Sequence, residues 1–279
     1  MWLSIRHVGC AVVGLSALTS PSSSTPTNPI DLAKRDNNFG LQNNHHDHDY
    51  DLPTTPCYSR HCNMAFHYAN FPSSTSLPKP DSKGDVTIPV TSITDIWRKP
   101  GIDSFNAPII YKKIPISSFK SARVTATGAW KTLYDQGGLF LLFPSTKSTP
   151  TPKRRWVKAG IEFYDAKPRF SVVATDLWSD WSLRPLGAAD EKAGKMTVVA
   201  EREVMPDGSK GPTLNVYLVN GDGTREYVRE TSWGFWDLDE REEMWVGMAG
   251  AAPTESDVQV LDVKFSGFEI ETWDGEAEE

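Results

Sequence analysis

From about Asn63 to Trp273 the chain is written in short runs of β-forming residues, each broken within a few positions by Gly, Pro, Asn or Asp. Nothing there keeps a helical period long enough to bury a helix face, and no βαβ spacing separates the runs. The clearest runs are residues 138–143, 156–163, 170–175, 196–200, 214–219, 225–230, 244–250 and 258–270. Asn220-Gly221-Asp222-Gly223 sits between two of them, which is a hairpin signal. Residues 187–195 read as a polar loop with two glycines. Many short strands over about 210 residues predict an all-β sandwich or barrel. Ten Trp, and aromatics at 11%, supply far more apolar surface than a disordered chain carries.

The N-terminal 56 residues have a different character. Arg6 and His7 precede an apolar run at 8–18, with small residues near Ala17 to Ser20. That pattern predicts a signal peptide over residues 1–20 and hence a secreted protein, with a cytoplasmic one as the alternative. A Ser/Thr/Pro stretch and the dibasic pair Lys34-Arg35 follow, so residues 21–56 read as a disordered, processed segment. Within it, His45-His46-Asp47-His48-Asp49-Tyr50-Asp51 is rich in metal-ligating side chains. No surrounding fold preorganises them, and the tract reads as a solvated tail, not a metal site. No cofactor is implied. With Cys10 in the leader, Cys57 and Cys62 remain, and in an oxidising compartment they are expected to pair as a disulfide.

Charge removes one class of partner. Net charge is −7, but residues 61–268 hold 25 basic and 25 acidic side chains, and the last eleven residues alone carry −6. A neutral body with an acidic tail at 274–279 lacks the basic face that nucleic acid demands. No run of about 18 apolar residues exists, so no membrane span is expected. All six histidines lie at or before His67. A Ser-His-Asp or Cys-His centre inside the domain would therefore need His61 or His67 to fold back onto it. No phosphate loop or nucleophile elbow is present. The acid-dense run 237–243 superficially resembles the strand signature of family-16-type glucanases, but it is almost wholly charged and reads as a solvated loop.

Alternation along Arg155 to Phe163 sorts one strand into two faces. Val157, Ala159, Ile161 and Phe163 share the core face; Trp156, Lys158 and Glu162 share the other. An aromatic, a cation and a carboxylate together suit a sugar- or small-molecule-binding floor. The competing reading is an exposed sheet face with Lys158–Glu162 as a weak surface pair. On either reading Trp156 is exposed, and its loss is expected to leave stability nearly unchanged. Trp178-Ser179-Asp180-Trp181-Ser182 and Trp233-Gly234-Phe235-Trp236 lie beside turn residues, as plugs at the sandwich ends or as ligand walls. Plugs are the commoner use.

Four motifs follow one another in order: Tyr134-Asp135-Gln136-Gly137-Gly138-Leu139; Trp156 to Phe163; Ser171-Val172-Val173-Ala174-Thr175 with Ser179 to Ser182; and Gly247-Met248-Ala249-Gly250-Ala251-Ala252-Pro253. Thr94-Asp95-Ile96-Trp97-Arg98 supplies a matching opening. Over residues 62–272 the series resembles the domain-of-unknown-function family that includes the yeast regulation-of-enolase protein. The resemblance implies a concanavalin A-like jelly roll over residues 57–273, two curved antiparallel sheets with a concave face, and no settled activity. The insert 144–153 departs from it by lengthening a normally short hairpin. A glycan or small organic ligand bound by Tyr134, Gln136, Trp156, Lys158 and Glu162 is the first functional expectation. An enzyme of the same fold, acting as a glycoside hydrolase or lyase or as a cyclase or isomerase, is the second. An intracellular regulatory partner is the third.

Overall fold

Alternating apolar residues make strands only if a second layer covers them, and here two sheets cover each other. The protein is described by a computed structural model over residues 65–73, 75–148, 153–256 and 260–273. In chain order the strands are β1 (His67–Ala69), β2 (Val86–Val90), β3 (Ile96–Lys99), β4 (Ile102–Phe105), β5 (Ile109–Pro115), β6 (Phe119–Gly128), β7 (Gln136–Phe143) and β8 (Arg155–Tyr164). They continue as β9 (Lys167–Thr175), β10 (Ser179–Pro185), β11 (Lys195–Val204), β12 (Lys210–Val219), β13 (Arg225–Thr231), β14 (Glu243–Ala251) and β15 (Leu261–Thr272). The segment expected to be a signal peptide, the His/Asp tract, Cys57, Cys62 and the acidic tail all lie outside the described residues.

Seven strands form one sheet in the order β1-β5-β14-β7-β8-β9-β10, and six form the other in the order β13-β12-β11-β6-β15-β2. Every named strand pair is antiparallel. Consecutive strands such as β5 and β6, or β14 and β15, lie in different sheets. This is the concanavalin A-like jelly roll. The expected hairpin at Asn220 joins β12 to β13, closed by Asn220 N–H donating to Thr224 O at 2.9 Å. No helix among the described residues is long and apolar enough to cross a membrane.

Between the sheets, β8 contributes Val157, Ala159 and Ile161, each at most 2% exposed, as the alternation requires. They pack in one cluster with Val124 and Ala126 of β6, Val198 and Ala200 of β11 and Val263 and Phe265 of β15. The loop expected at 187–195 is instead a short helix, α1 (Ala188–Ala193). Six residues are too few to show a period in sequence. Gly194 stops the helix in the left-handed conformation at φ 57°, and Trp130 Nε1–H donates to its carbonyl at 2.8 Å.

The other face of β8 departs from expectation. Trp156 is 0% exposed and Glu162 5%. The face assignment is right, but this face is covered too. A separate two-stranded sheet, β3–β4, lies across it, and a second core cluster fills the gap with Ile96, Ile109, Tyr111, Phe140, Trp156 and Val173. Phe105 meets Phe140 edge-on at 6.0 Å, and Arg98 N–H donates to Ser179 Oγ at 2.9 Å. Trp156 is therefore a core residue and not an exposed stacking platform. The covering hairpin lies about 60 residues upstream, where no local pattern on β8 can announce it.

Candidate functional site

Strand register brings the polar side chains on the outer face of the seven-stranded sheet together beside Asp95, the residue that precedes β3. Gln136 on β7 is the partner of Glu162 on β8, and Lys158 stands on the same face two pleats further along. Lys158 Nζ donates to Gln136 Oε1 and lies 3.7 Å from Asp95 Oδ1. Both ends of that ion pair are mostly buried, at 14% side-chain exposure each. Glu162 is bonded from the next two strands. Ser171 Oγ–H of β9 donates to its Oε2 at 2.7 Å, and Trp181 Nε1–H of β10 reaches the same oxygen at 3.0 Å and Ser171 Oγ at 3.1 Å. A buried carboxylate needs such donors to offset its desolvation.

The floor between these groups is bare backbone. Gly138 and Gly160 face each other across β7–β8, and a Cβ on Gly138 would sit 2.2 Å from Ala159 O and 2.5 Å from Gly160 Cα. The result is a shallow hollow bordered by Ile96, Gln136, Lys158, Ser171, Ala249 and Ala251. Its space to the open mouth is about 330 Å³, but only about 20 Å³ admits the centre of a water molecule. That is room for about one enclosed water, so a larger ligand must lie across the mouth.

Aromatic rings form one flank. Trp181 meets Tyr164 edge-on at 5.5 Å, Tyr134 at 6.2 Å and Trp97 at 6.2 Å. Tyr134 sits at φ 69°, an uncommon backbone for a non-glycine residue. Its turn is fixed by Asp135, whose Oδ2 accepts the N–H groups of Lys131 and Thr132 at 3.0 and 2.9 Å. Gln136 Nε2–H donates to Tyr134 O at 3.1 Å. The structure thus gathers Tyr134, Gln136, Lys158 and Glu162. Trp156 lies beyond them, its ring 5.8 Å from Lys158 Nζ and sealed beneath β3–β4.

Residues 70–273 match the family described as protein of unknown function, DUF1349. The chain belongs to this family. The DUF1349 domain is 39% identical over 191 residues to Uncharacterized protein AN7484 of Emericella nidulans, covering 68% of this chain and 88% of that one. It is 31% identical over 117 residues to Regulation of enolase protein 1 of Saccharomyces cerevisiae, covering 40% of this chain and 55% of the yeast protein. The crystal structure of a functionally unknown protein from Saccharomyces cerevisiae superposes with a TM-score of 0.58 at 23% identity, covering 74% of this chain and 96% of that one. The resemblance read from the four ordered motifs therefore holds, and so does the fold that it implies.

Sequence reasoning on the DUF1349 domain missed Ser171 and Trp181 as partners of Glu162, Asp95 as the ion-pair partner of Lys158, and Tyr164 as a ring neighbour of Trp181. The sequence places Trp181 beside a turn, but it lies within β10 and faces the same side as Glu162. The plug reading suits Phe235, which is 4% exposed and stacks on Phe119 at 5.6 Å. Ser171 and Trp181 both stood inside a recognised motif, so the motif was the available signal. The acidic run is a loop over 237–242, as expected, and Glu243 opens β14. There Arg241 holds Asp239 well below the usual carboxylate range through its side chain and its backbone N–H. Among the described residues no group of three or more His, Cys, Asp or Glu side chains is placed to hold a metal ion.

Proposed function

We propose that this protein is secreted and binds a glycan or a small organic ligand on the concave face of its seven-stranded sheet. One observation carries the reading: Glu162, Lys158 and Gln136 converge at a glycine floor, beside the rings of Trp181, Tyr134 and Tyr164. Aromatic rings stack on the apolar faces of sugars, and charged groups hydrogen-bond the hydroxyls. The shallowness of the hollow fits a ligand bound across the mouth with modest affinity. Secretion is supported by the apolar run behind Arg6 and by Lys34-Arg35, and it makes a Cys57–Cys62 disulfide the expected state of those thiols.

Screening the protein purified from culture medium on a glycan array, with Glu162→Gln alongside, tests this reading. Loss of at least ten-fold in affinity is expected for the variant, since a charge-assisted hydrogen bond contributes about 1.5–3 kcal/mol. No glycan bound by the wild type, or equal binding by both, would sink it. A sugar consumed by the wild type and spared by the variant would make the same site catalytic. The match to Regulation of enolase protein 1 favours a second reading, a regulatory partner that binds a protein. Recovery of the uncleaved chain from the cytosol would select it.

A further inference from the structure

Along one side of the sandwich the last strands of the two sheets face each other. β10 ends the seven-stranded sheet and β13 ends the six-stranded one. Each has a ladder neighbour on one side only, β9 for β10 and β12 for β13. Across the seam between them side chains make the contact. Arg229 of β13 pairs with Asp180 of β10, and its Nη1–H donates to Ser182 Oγ at 3.1 Å. Arg184 of β10 donates from Nη2 to Glu226 Oε2 of β13 at 2.6 Å. The two ion pairs run in opposite senses, with one arginine from each strand, and together they clasp the seam.

Strand geometry explains why these four meet. On β10, Asp180, Ser182 and Arg184 alternate onto the inward face, opposite the core residues Ala174, Val172 and Phe170 of β9. Trp181 takes the other face and donates its Nε1–H to Glu162 Oε2 at 3.0 Å. On β13, Glu226 and Arg229 are three residues apart, a spacing that plain alternation puts on opposite faces. The register slip between Val216 and Tyr217 brings them to one side: Arg229 stands opposite Val216 and Glu226 opposite Leu218, both core residues of β12. A bulge re-aims side chains by one pleat at the cost of ladder hydrogen bonds. Here it aims both prongs at β10. Asn220 Nδ2–H of the hairpin steadies Glu226 by donating to its Oε1 at 2.8 Å.

An edge strand has its register set by one neighbour, and its far side is held by whatever it meets there. β10 meets Arg98 at its first residue, Ser179, and the clasp along residues 180–184. Trp181 stands between Asp180 and Ser182, the two residues that Arg229 grips. We propose that Asp180, Arg184, Glu226 and Arg229 are positioning residues for the Glu162 site: they set the Trp181 ring on Glu162, and through them the affinity for an uncharged ligand falls as ionic strength rises. The clasp is open to screening, since the Asp180 and Glu226 side chains are 76% and 44% exposed. The Lys158–Asp95 pair inside the site is mostly buried and is screened much less. The affinity half of this inference rests on the ligand-binding reading above; the placement of Trp181 does not.

Hydrogen exchange of the Trp181 indole proton, followed by NMR on the full chain without ligand, tests the placement. Arg184→Gln combined with Arg229→Gln should speed it by about five-fold or more, because two partly exposed ion pairs are lost. The β7 and β8 amides should keep their wild-type shifts. Asp180→Arg should speed the exchange too, and adding Arg229→Asp should restore it, a rescue that a general loss of stability would not give. The proposal falls if the double glutamine variant exchanges like the wild type, or if the charge swap restores nothing. Titration with cellohexaose, laminarihexaose, xylohexaose and mannohexaose tests the affinity. For any that binds, wild-type affinity should fall by about five-fold or more between about 0.1 and about 1 M salt, as the screening length shrinks from about 10 to about 3 Å. The double glutamine variant should bind as weakly as the wild type at high salt and show no salt response. A salt response absent from the wild type, or retained in the variant, overturns the affinity half. Binding of none of the four removes that half as well, and indole exchange still decides the placement.

Discussion

Replacing Trp156 by Ala should destabilise the domain by about 3–5 kcal/mol, the range for removing a large buried aromatic. The ring is 0% exposed and packs in the second core cluster with Phe140, Ile96 and Val173. A tryptophan of this kind hides roughly 200 Å². At about 25 cal/mol per Å² that is about 5 kcal/mol before any relaxation of the site. For a domain of this size each 1 kcal/mol moves the melting temperature by about 2–4 °C, so a fall of about 6–20 °C follows. Among the described residues Trp156 Nε1–H has no hydrogen-bond partner. Trp156→Phe therefore forfeits no bond and should cost only the lost volume, about 1–2 kcal/mol. Trp236→Ala is the control, because that ring is 65% exposed and its loss should stay within about 0.5 kcal/mol. Urea unfolding reads all three as shifts of the midpoint at constant slope. If Trp156→Ala proves as mild as Trp236→Ala, β3–β4 does not seal this face in solution, and the second core is wrong.

Ile161→Ala, on the opposite face of the same strand and 1% exposed, should cost about 2–5 kcal/mol in the same assay and leave glycan binding intact once the protein is folded. Gly138→Ala should lower the urea midpoint by at least the equivalent of about 1–3 kcal/mol, since its Cβ would meet backbone atoms at 2.2 and 2.5 Å that cannot turn aside; a neutral result would refute the glycine floor. Asp222 is held below its ordinary value of about 4 by the Thr224 hydroxyl and then by the Thr224 N–H. A depressed carboxyl stabilises above its unfolded value and loses that contribution as pH falls through the folded one. Asp222→Asn should therefore lower the midpoint at pH 7, by a gap that narrows as pH falls below about 4, and a gap that stays constant with pH would refute the linkage.

The faces of β8 were legible because alternation is local: consecutive Cβ atoms in a strand point to opposite sides whatever the rest of the chain does. Val157, Ala159 and Ile161 line the main core for that reason, and Gln136, Lys158 and Glu162 share the opposite face with Trp156. The hairpin at Asn220 was legible on the same grounds, since a turn is built from adjacent residues. Helix α1 was not, because six residues carry too little periodicity.

What the sequence determined by itself was the all-β class and the side of the unbulged strand β8 on which each residue falls, both consequences of short-range backbone geometry. Family membership was readable too, from motifs that stand in linear order. Tertiary structure alone decided which of the two faces of a strand meets water. Trp156 is buried by β3–β4, and Glu162 is satisfied by Ser171 and by Trp181 across two strand pairings. It also decided that Glu269 and Tyr227 stand on the outer face, because a bulge resets the alternation and shows only when a partner strand supplies the register. Burial and pairing depend on chain segments tens of residues apart, and no window of neighbouring residues holds that information.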